Sequence, residues 1–264
     1  MPTPPTAEIF LDAVREKGIE TALFLASDFR TGSTLIGRLL EMQTGLPFQR
    51  ESFNTVPTWH VMQEAPLRRA VLAALGPVRL GCMATKLMWP HRNNLARVLG
   101  LNATDAVADF REIFPRARFV HVARRDKVAQ AVSFHIARHS NVWFSSQVAR
   151  NLDGPVSYNF AEINHYYMHF IMFETLWAEF LSAADPEAPL IYYEDLVDNV
   201  AGHVELSMAH LGLDFDRTKL PADLPLERQA GDLAHSFCDR FRHDLSRYSP
   251  VEFLPGRLIG PPTP

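Results

Sequence analysis

The stretch from Thr21 to Leu40, TALFLASDFRTGSTLIGRLL, constrains this chain more than any other. Thr21 to Ala26 is a short apolar run, which predicts a buried strand. Ser27 to Gly32 is polar and contains one glycine, which predicts a tight turn. From Ser33 or Thr34 the apolar residues Leu35, Ile36, Leu39 and Leu40 follow helical spacing. A strand, a small-residue turn and a helix start together make an anion cradle. Backbone N–H groups of the turn and first helical turn converge on one spot, and the helix dipole adds positive potential there. Thr31, Ser33 and Thr34 add hydroxyl donors, and Arg30 adds a full positive charge. The stretch therefore predicts a phosphate or sulfate site. The same residues also fit an ordinary strand–turn–helix whose Ser and Thr only cap the helix.

At 264 residues the chain is long enough to bury a sizeable core, and one α/β domain over 1–264 is expected rather than two small ones. A net charge of −4 with no run of Lys or Arg argues against a nucleic-acid surface. The two cysteines, Cys82 and Cys238, make no disulfide framework, and Cys82 lies in an apolar run that predicts a buried thiol. MPTPPTAEIF lacks the basic and apolar regions of a signal peptide. No segment offers about 18 uninterrupted apolar residues, so no transmembrane span is expected. The chain reads as a cytoplasmic protein.

Strands and helices alternate along the chain. Helices are predicted over Ala7 to Lys17, Pro66 to Leu75, Arg92 to Leu99 and Asp105 to Phe114, with Gln43 to Pro57 as a loop. Leu80 to Thr85 is a second strand followed at once by Lys86. Phe119 to Ala123 is a third, followed by Arg124, Arg125 and Asp126 and then a helix from Lys127 to about Arg138. Tyr158 to Leu181 is a long helix, apolar on nearly every face and so expected to be buried on several sides. Leu190 to Tyr193 is a fourth strand, and Asp195 is placed to cap a helix running to about Leu211. A last helical segment covers about Arg228 to Phe241. This alternation predicts a parallel sheet wrapped by helices on both faces.

In such sheets ligands bind outside the carboxyl ends of the strands. Arg30, Lys86 and Arg124–Arg125 all fall at or just after a predicted carboxyl end, which suits a ligand with two separated anionic groups. In FVHVARRDKVAQAVS, Arg125 and Ser133 stand eight residues apart across a turn and helix start, a second anion site. The nucleotide-binding loop G-x-x-x-x-G-K-[ST] does not match here, because Ser33 follows Gly32 where that motif carries lysine.

The arrangement Arg30-Thr31-Gly32-Ser33-Thr34 resembles the 5′-phosphosulfate loop of sulfotransferases that use 3′-phosphoadenosine-5′-phosphosulfate (PAPS). The segments GCMATKLMW, RRDKVAQAVS, NVW, YYEDL and ERQA extend the likeness to the bacterial trehalose-type, glycolipid-modifying sulfotransferases, over roughly Leu23 to Phe241. The resemblance implies a P-loop-like fold and sulfuryl transfer from PAPS to a hydroxyl, often on a sugar, without a metal. Arg30, Thr31, Gly32, Ser33 and Thr34 would hold the 5′-phosphosulfate, and Arg125 and Ser133 the 3′-phosphate. Arg228, in ERQA, joins the cofactor-binding set. The core would span about 21–215, with 216–264 packing on or covering the nucleotide site. The family often dimerises, so a homodimer is among the expected states.

Sulfuryl transfer needs a base, and here the chain departs from the animal-type enzymes. Those carry K-T-H after the second strand, where this chain has Lys86-Leu87-Met88, and methionine takes no proton. Trehalose-type enzymes use a glutamate in a G-x-P-x-E-F-F-like segment, and in GLPFQRESF the matching residue is Glu51. A carboxylate can accept the acceptor hydroxyl's proton, while Glu51 also fits a solvated loop acid. His91 and His60 are the reserve bases. Lys86 joins Glu51 and Arg30 as a catalytic residue, and Trp143 suits stacking or the core. Asp28 is an awkward neighbour for an anion and must turn away or pair with arginine.

Two rival readings follow from other residues. Glu162, His165 and His169 share one face of the long helix, but a di-iron bundle needs a second Glu-x-x-His, which the sequence lacks. A nucleotide kinase or a non-catalytic nucleotide-binding module also fits a phosphate cradle. The kinase should carry the missing lysine, and the module has no need of Glu51.

Overall fold

The computed structural model describes residues 5–48, 51–101, 106–114, 116–143, 156–222 and 231–247. Helix α1 (Pro5–Glu16) leads into strand β1 (Thr21–Ser27) and helix α2 (Ser33–Thr44). After a 3-10 turn at Val56–Val61 come α3 (Glu64–Leu75), β2 (Cys82–Met88), α4 (Trp89–Val98), α5 (Ala106–Ile113) and β3 (Arg116–Ala123). Then follow α6 (Lys127–Ser140), α7 (Phe160–Ala184), β4 (Leu190–Tyr192), α8 (Tyr193–Asp198), α9 (Val200–His210) and α10 (Asp232–Ser246).

The described residues fall into two compact units, drawn from Met1–Arg125 with Ile171–Leu226 and from Asp126–Phe170 with Glu227–Pro264. The first unit holds a parallel sheet of order β2-β1-β3-β4. Strand β1 is central and buried from Ala22 to Ser27. Its side chains alternate between two apolar clusters, because successive residues of a strand point to opposite faces. Ala22, Phe24 and Ala26 pack with Phe10, Trp59, Phe114 and Trp177, which belong to α1, the 3-10 turn, the residue after α5, and α7. Leu23 and Leu25 pack with Ile36, Leu40, Leu196 and Val204 of α2, α8 and α9. Both faces are covered by helices, the α/β architecture predicted from the alternation of elements.

Four local expectations change. Strand β2 starts at Cys82 rather than Leu80, because Leu80 and Gly81 adopt positive φ (50° and 74°) and make a turn. The strand also runs on past Thr85 to Met88, in register with β1, so Lys86 lies inside β2, opposite Leu25, instead of following it. Cys82, at the strand's edge, is partly exposed, while Cys238 is the buried thiol. The helix after β4 breaks at Asn199, whose side chain accepts from the Gly202 amide, so Asp195 does not serve as its cap. Finally, α7 buries one face at helical spacing, Ile163, Phe170, Trp177, Phe180, Leu181 and Ala184, while Met168, Ile171 and Met172 are exposed. High apolar content on a helix is thus not two-sided burial.

The second unit packs α6 against α10 and the first part of α7. Phe160 stacks on Phe241 at 5.2 Å between ring centroids, and Phe134 meets Phe170 edge-on at 5.6 Å. Asp126 caps α6 by accepting from the Ala129 amide and pairs with Arg242 of α10 at 2.9 Å.

Phe24 touches Phe110, Phe114 and Phe119 at centroid distances of 5.2–5.5 Å. We predict that Phe24→Ala costs about 3–5 kcal/mol in urea unfolding. Exposed Val61→Ala should stay within about 0.5 kcal/mol. Equal costs for the two would remove β1 from the centre of the core.

Candidate active site

The parallel register places the carboxyl ends of the strands on one edge, with Ser27 beside Met88 and Val122, and Ala123 beside Tyr192. The turns leaving these ends carry the candidate residues. In the first turn Thr31 donates its hydroxyl to the Asp28 carbonyl at 3.0 Å. Asp28 is itself buried. Arg30 has φ 64°, unusual for a residue with a side chain, and Gly32 has φ 83°. A Cβ at Gly32 would lie 2.5 Å from the Tyr193 ring, so glycine is required here twice over, by conformation and by space. Helix α2 starts directly after it with no side-chain cap. That is the geometry of an anion-binding helix N-terminus.

Cations gather around this turn. Burial is the main cause lowering the Arg30 pKa below the ordinary arginine value, and the Arg124 charge adds to it, against an opposing contribution from Tyr193. Arg124 donates to the Arg30 carbonyl at 3.4 Å and lies over the Tyr193 ring at 5.3 Å. Arg124 Nε also lies 3.9 Å from Glu194 Oε1, so an acid accompanies it on this edge. Lys86 is 2% exposed and donates to Thr34 Oγ1 at 3.1 Å and to Glu51 Oε1 at 3.2 Å. The Glu51 segment is tied to β2 through the Ser52 amide, which lies 3.4 Å from Thr85 Oγ1. Lys86 therefore joins the cradle to the loop acid, although the two are far apart in sequence.

His91 is buried on α4 with its ring edge-on to Phe29, and its Nδ1 has no hydrogen-bond partner. Burial lowers its pKa most, Glu51 opposes this, and Lys86 adds to the lowering, so the ring is kept neutral. His60 is exposed on the 3-10 turn. Arg125 forms a two-pronged ion pair with Asp195, at 2.5 and 2.6 Å, and lies over the Tyr192 ring at 4.3 Å. Its backbone amide donates to Glu194 at 3.1 Å. Hydrogen bonding to Asp195 is the leading cause that raises the Arg125 pKa and lowers that of Asp195.

Sequence reasoning named Arg30, Lys86 and Glu51 but missed what orients them. Tyr193, Glu194 and Asp195 were legible as YYEDL directly after a strand, on the ligand edge of the sheet, yet their partners are distant in sequence. Ser133 is half-buried on α6 in the second unit. Trp143 packs edge-on against Phe134 at 5.7 Å and donates to Asn141. Arg228 lies outside the described residues.

Gly32→Ala should lower the melting temperature and weaken binding of adenosine 3′,5′-bisphosphate. Positive φ alone costs an alanine about 1 kcal/mol. The steric part should shrink in a Tyr193→Ala background. An identical loss in both backgrounds would show that the ring does not crowd this position.

Residues 22–244 match the family model "Stf0 sulphotransferase". No curated protein matches the chain. Among solved structures, a sulfotransferase from Alicyclobacillus acidocaldarius is 16% identical, with 86% of this chain and 93% of that one covered and a TM-score of 0.47. A retinol dehydratase solved with androsterone and inactive cofactor PAP is 15% identical, with 80% and 66% covered and a TM-score of 0.41. The family match spans most of the chain, including nearly all of β1, the turn after it and the strand ends that carry the cations. The chain belongs to the Stf0 sulphotransferase family and is a PAPS-dependent sulfotransferase.

Proposed function

We propose that this enzyme sulfates a hydroxyl of a carbohydrate or glycolipid, with Glu51 as the general base. The observation that carries this reading is the Lys86 ammonium, which reaches both Thr34 of the anion-binding turn and the Glu51 carboxylate. A base tethered to the cradle is held where an acceptor oxygen must approach the sulfur. Arg30, the backbone donors of Thr31 to Thr34 and Lys86 hold the 5′-phosphosulfate of the co-substrate, a positioning role. As the acceptor oxygen bonds to sulfur, its proton passes to Glu51 and the bond from sulfur to the 5′-phosphate oxygen breaks. The electron pair stays on that oxygen, where Arg30 offsets the new charge. Arg125 takes the 3′-phosphate. Asp195 holds the Arg125 guanidinium flat against Tyr192 beforehand, which reduces the entropy lost on binding.

An acceptor screen over sugars, glycolipids and phenols, scored by release of adenosine 3′,5′-bisphosphate, tests the assignment. Turnover confined to phenols would overturn the carbohydrate reading. Glu51→Gln should retain nucleotide affinity yet slow transfer by roughly 10²- to 10⁴-fold, the contribution of a positioned base. Near-normal transfer by Glu51→Gln alongside a crippled His91→Ala would hand the role to the histidine. Arg125→Ala should weaken PAPS while sparing adenosine 5′-phosphosulfate, which lacks the 3′-phosphate. Calorimetry giving equal losses for both would separate Arg125 from that group.

A further inference from the structure

Among the described residues, His135, His139 and Glu162 place one ligand atom each within 4.8 Å of one another. All three belong to the second unit. His135 and His139 are one turn apart on α6, with ring centroids 4.5 Å apart, and Glu162 enters from the first turn of α7. Glu162 Oε2 lies 2.9 Å from His139 Nε2 and 3.3 Å from His135 Nδ1. Zinc bonds of about 2.0–2.1 Å in tetrahedral geometry imply ligand-to-ligand distances of about 3.3 Å, close to these spacings.

The hydrogen bonding around a neutral His135 ring is incomplete. The ring is 1% exposed, and its Nε2 lies 2.9 Å from the Ser157 carbonyl oxygen, which can only accept. The ring proton of the neutral imidazole is therefore on Nε2, and Nδ1 presents a lone pair. That lone pair is beside the Glu162 carboxylate, another acceptor, and Nδ1 has no hydrogen-bond partner. The 3.3 Å approach has the distance of an ion pair without the angles of a hydrogen bond. A buried acceptor left this way is costly, and a metal ion coordinated by all three groups removes the conflict.

The surrounding residues fit the same role. The Ser157 carbonyl fixes the tautomer of His135, as outer-sphere partners of metal-bound histidines do. Tyr166 donates its hydroxyl to Glu162 Oε1 at 2.6 Å.

We propose that His135 Nδ1, His139 Nε2 and the Glu162 carboxylate bind a divalent transition metal, zinc by preference, that clamps α6 to α7. Two imidazoles and one carboxylate suit zinc better than magnesium or calcium, which favour oxygen-only sites. A water completes the fourth position. The clamp is structural. It steadies the helix that carries Ser133, two residues before His135, and is independent of the sulfuryl-transfer chemistry. Sequence spacing pointed to Glu162 with His165 and His169, but the histidines that meet Glu162 come from α6. His169 Nδ1 instead lies 3.0 Å from the His165 carbonyl.

The test uses the full chain, stripped with a chelator and titrated with zinc against a chromophoric competitor. One zinc per chain is expected, together with a higher melting temperature that magnesium does not reproduce. His139→Ala and Glu162→Gln should each weaken zinc by about 100-fold or more and abolish the thermal shift. His165→Ala should leave both intact. His135→Ala removes a buried ring and so tests folding as well, whereas His139 is half exposed and its replacement reports on the metal. Absence of a one-to-one complex in the wild type would overturn the proposal. So would His139→Ala binding zinc like the wild type, which would mean adventitious surface binding only.

Discussion

The structure depends on β1 being buried on both faces while flanked by parallel strands. A central parallel strand has no solvent side, so every residue from Ala22 to Ser27 must satisfy one helical layer or the other. Phe24 and its neighbouring rings fill one layer, and Leu23 and Leu25 fill the other with the aliphatic side chains of α2 and α9. Its placement matters because the Arg30–Gly32 turn leaves directly from its end. The position of Gly32 relative to Lys86, Arg124 and Tyr193 is thus set by strand register rather than by loop conformation.

Around that fixed point, charge is arranged as a chain of contacts. Lys86, almost wholly buried, would be costly as an isolated ammonium. It is compensated by Thr34 on one side and Glu51 on the other. Arg124 lies over the Tyr193 ring, donates to the Arg30 carbonyl and has Glu194 beside it, while Arg30 is largely withdrawn from solvent. Arg125 is treated differently. It is exposed, paired with Asp195 and supported by an aromatic face, so its orientation is set by those two neighbours.

The second unit shows the same logic on a smaller scale. Helix α6 is capped by Asp126, tied to α10 through Arg242 and packed by Phe237 and Phe241. It nevertheless keeps a fully buried histidine whose ring nitrogens face a carbonyl on one side and a carboxylate on the other. Apolar packing would not place it there. Such a residue is a requirement of the site rather than of the core, which is the basis for reading it as a ligand.

What the sequence determined by itself was local or periodic. The alternation of apolar runs and helical spacing yielded the parallel α/β sheet, because burial on both faces demands it. The small-residue turn after the first run was legible as the break between strand and helix, since Gly32 there adopts a positive φ and α2 starts directly after it. Arg30, Lys86 and Arg125 were legible because they follow or end strands, and parallel sheets bring those ends together. The tertiary structure decided what each of these residues touches. It moved Lys86 into β2, since the strand keeps pairing with β1 as far as Met88. It assigned Asp195 to Arg125 instead of a helix cap, paired Lys86 with Glu51, and set Glu162 against His135 and His139 rather than its own helical neighbours. Each of these pairings joins residues distant in the chain. Side-chain electrostatics acts across space, and spacing along one element carries no record of what the neighbouring element presents.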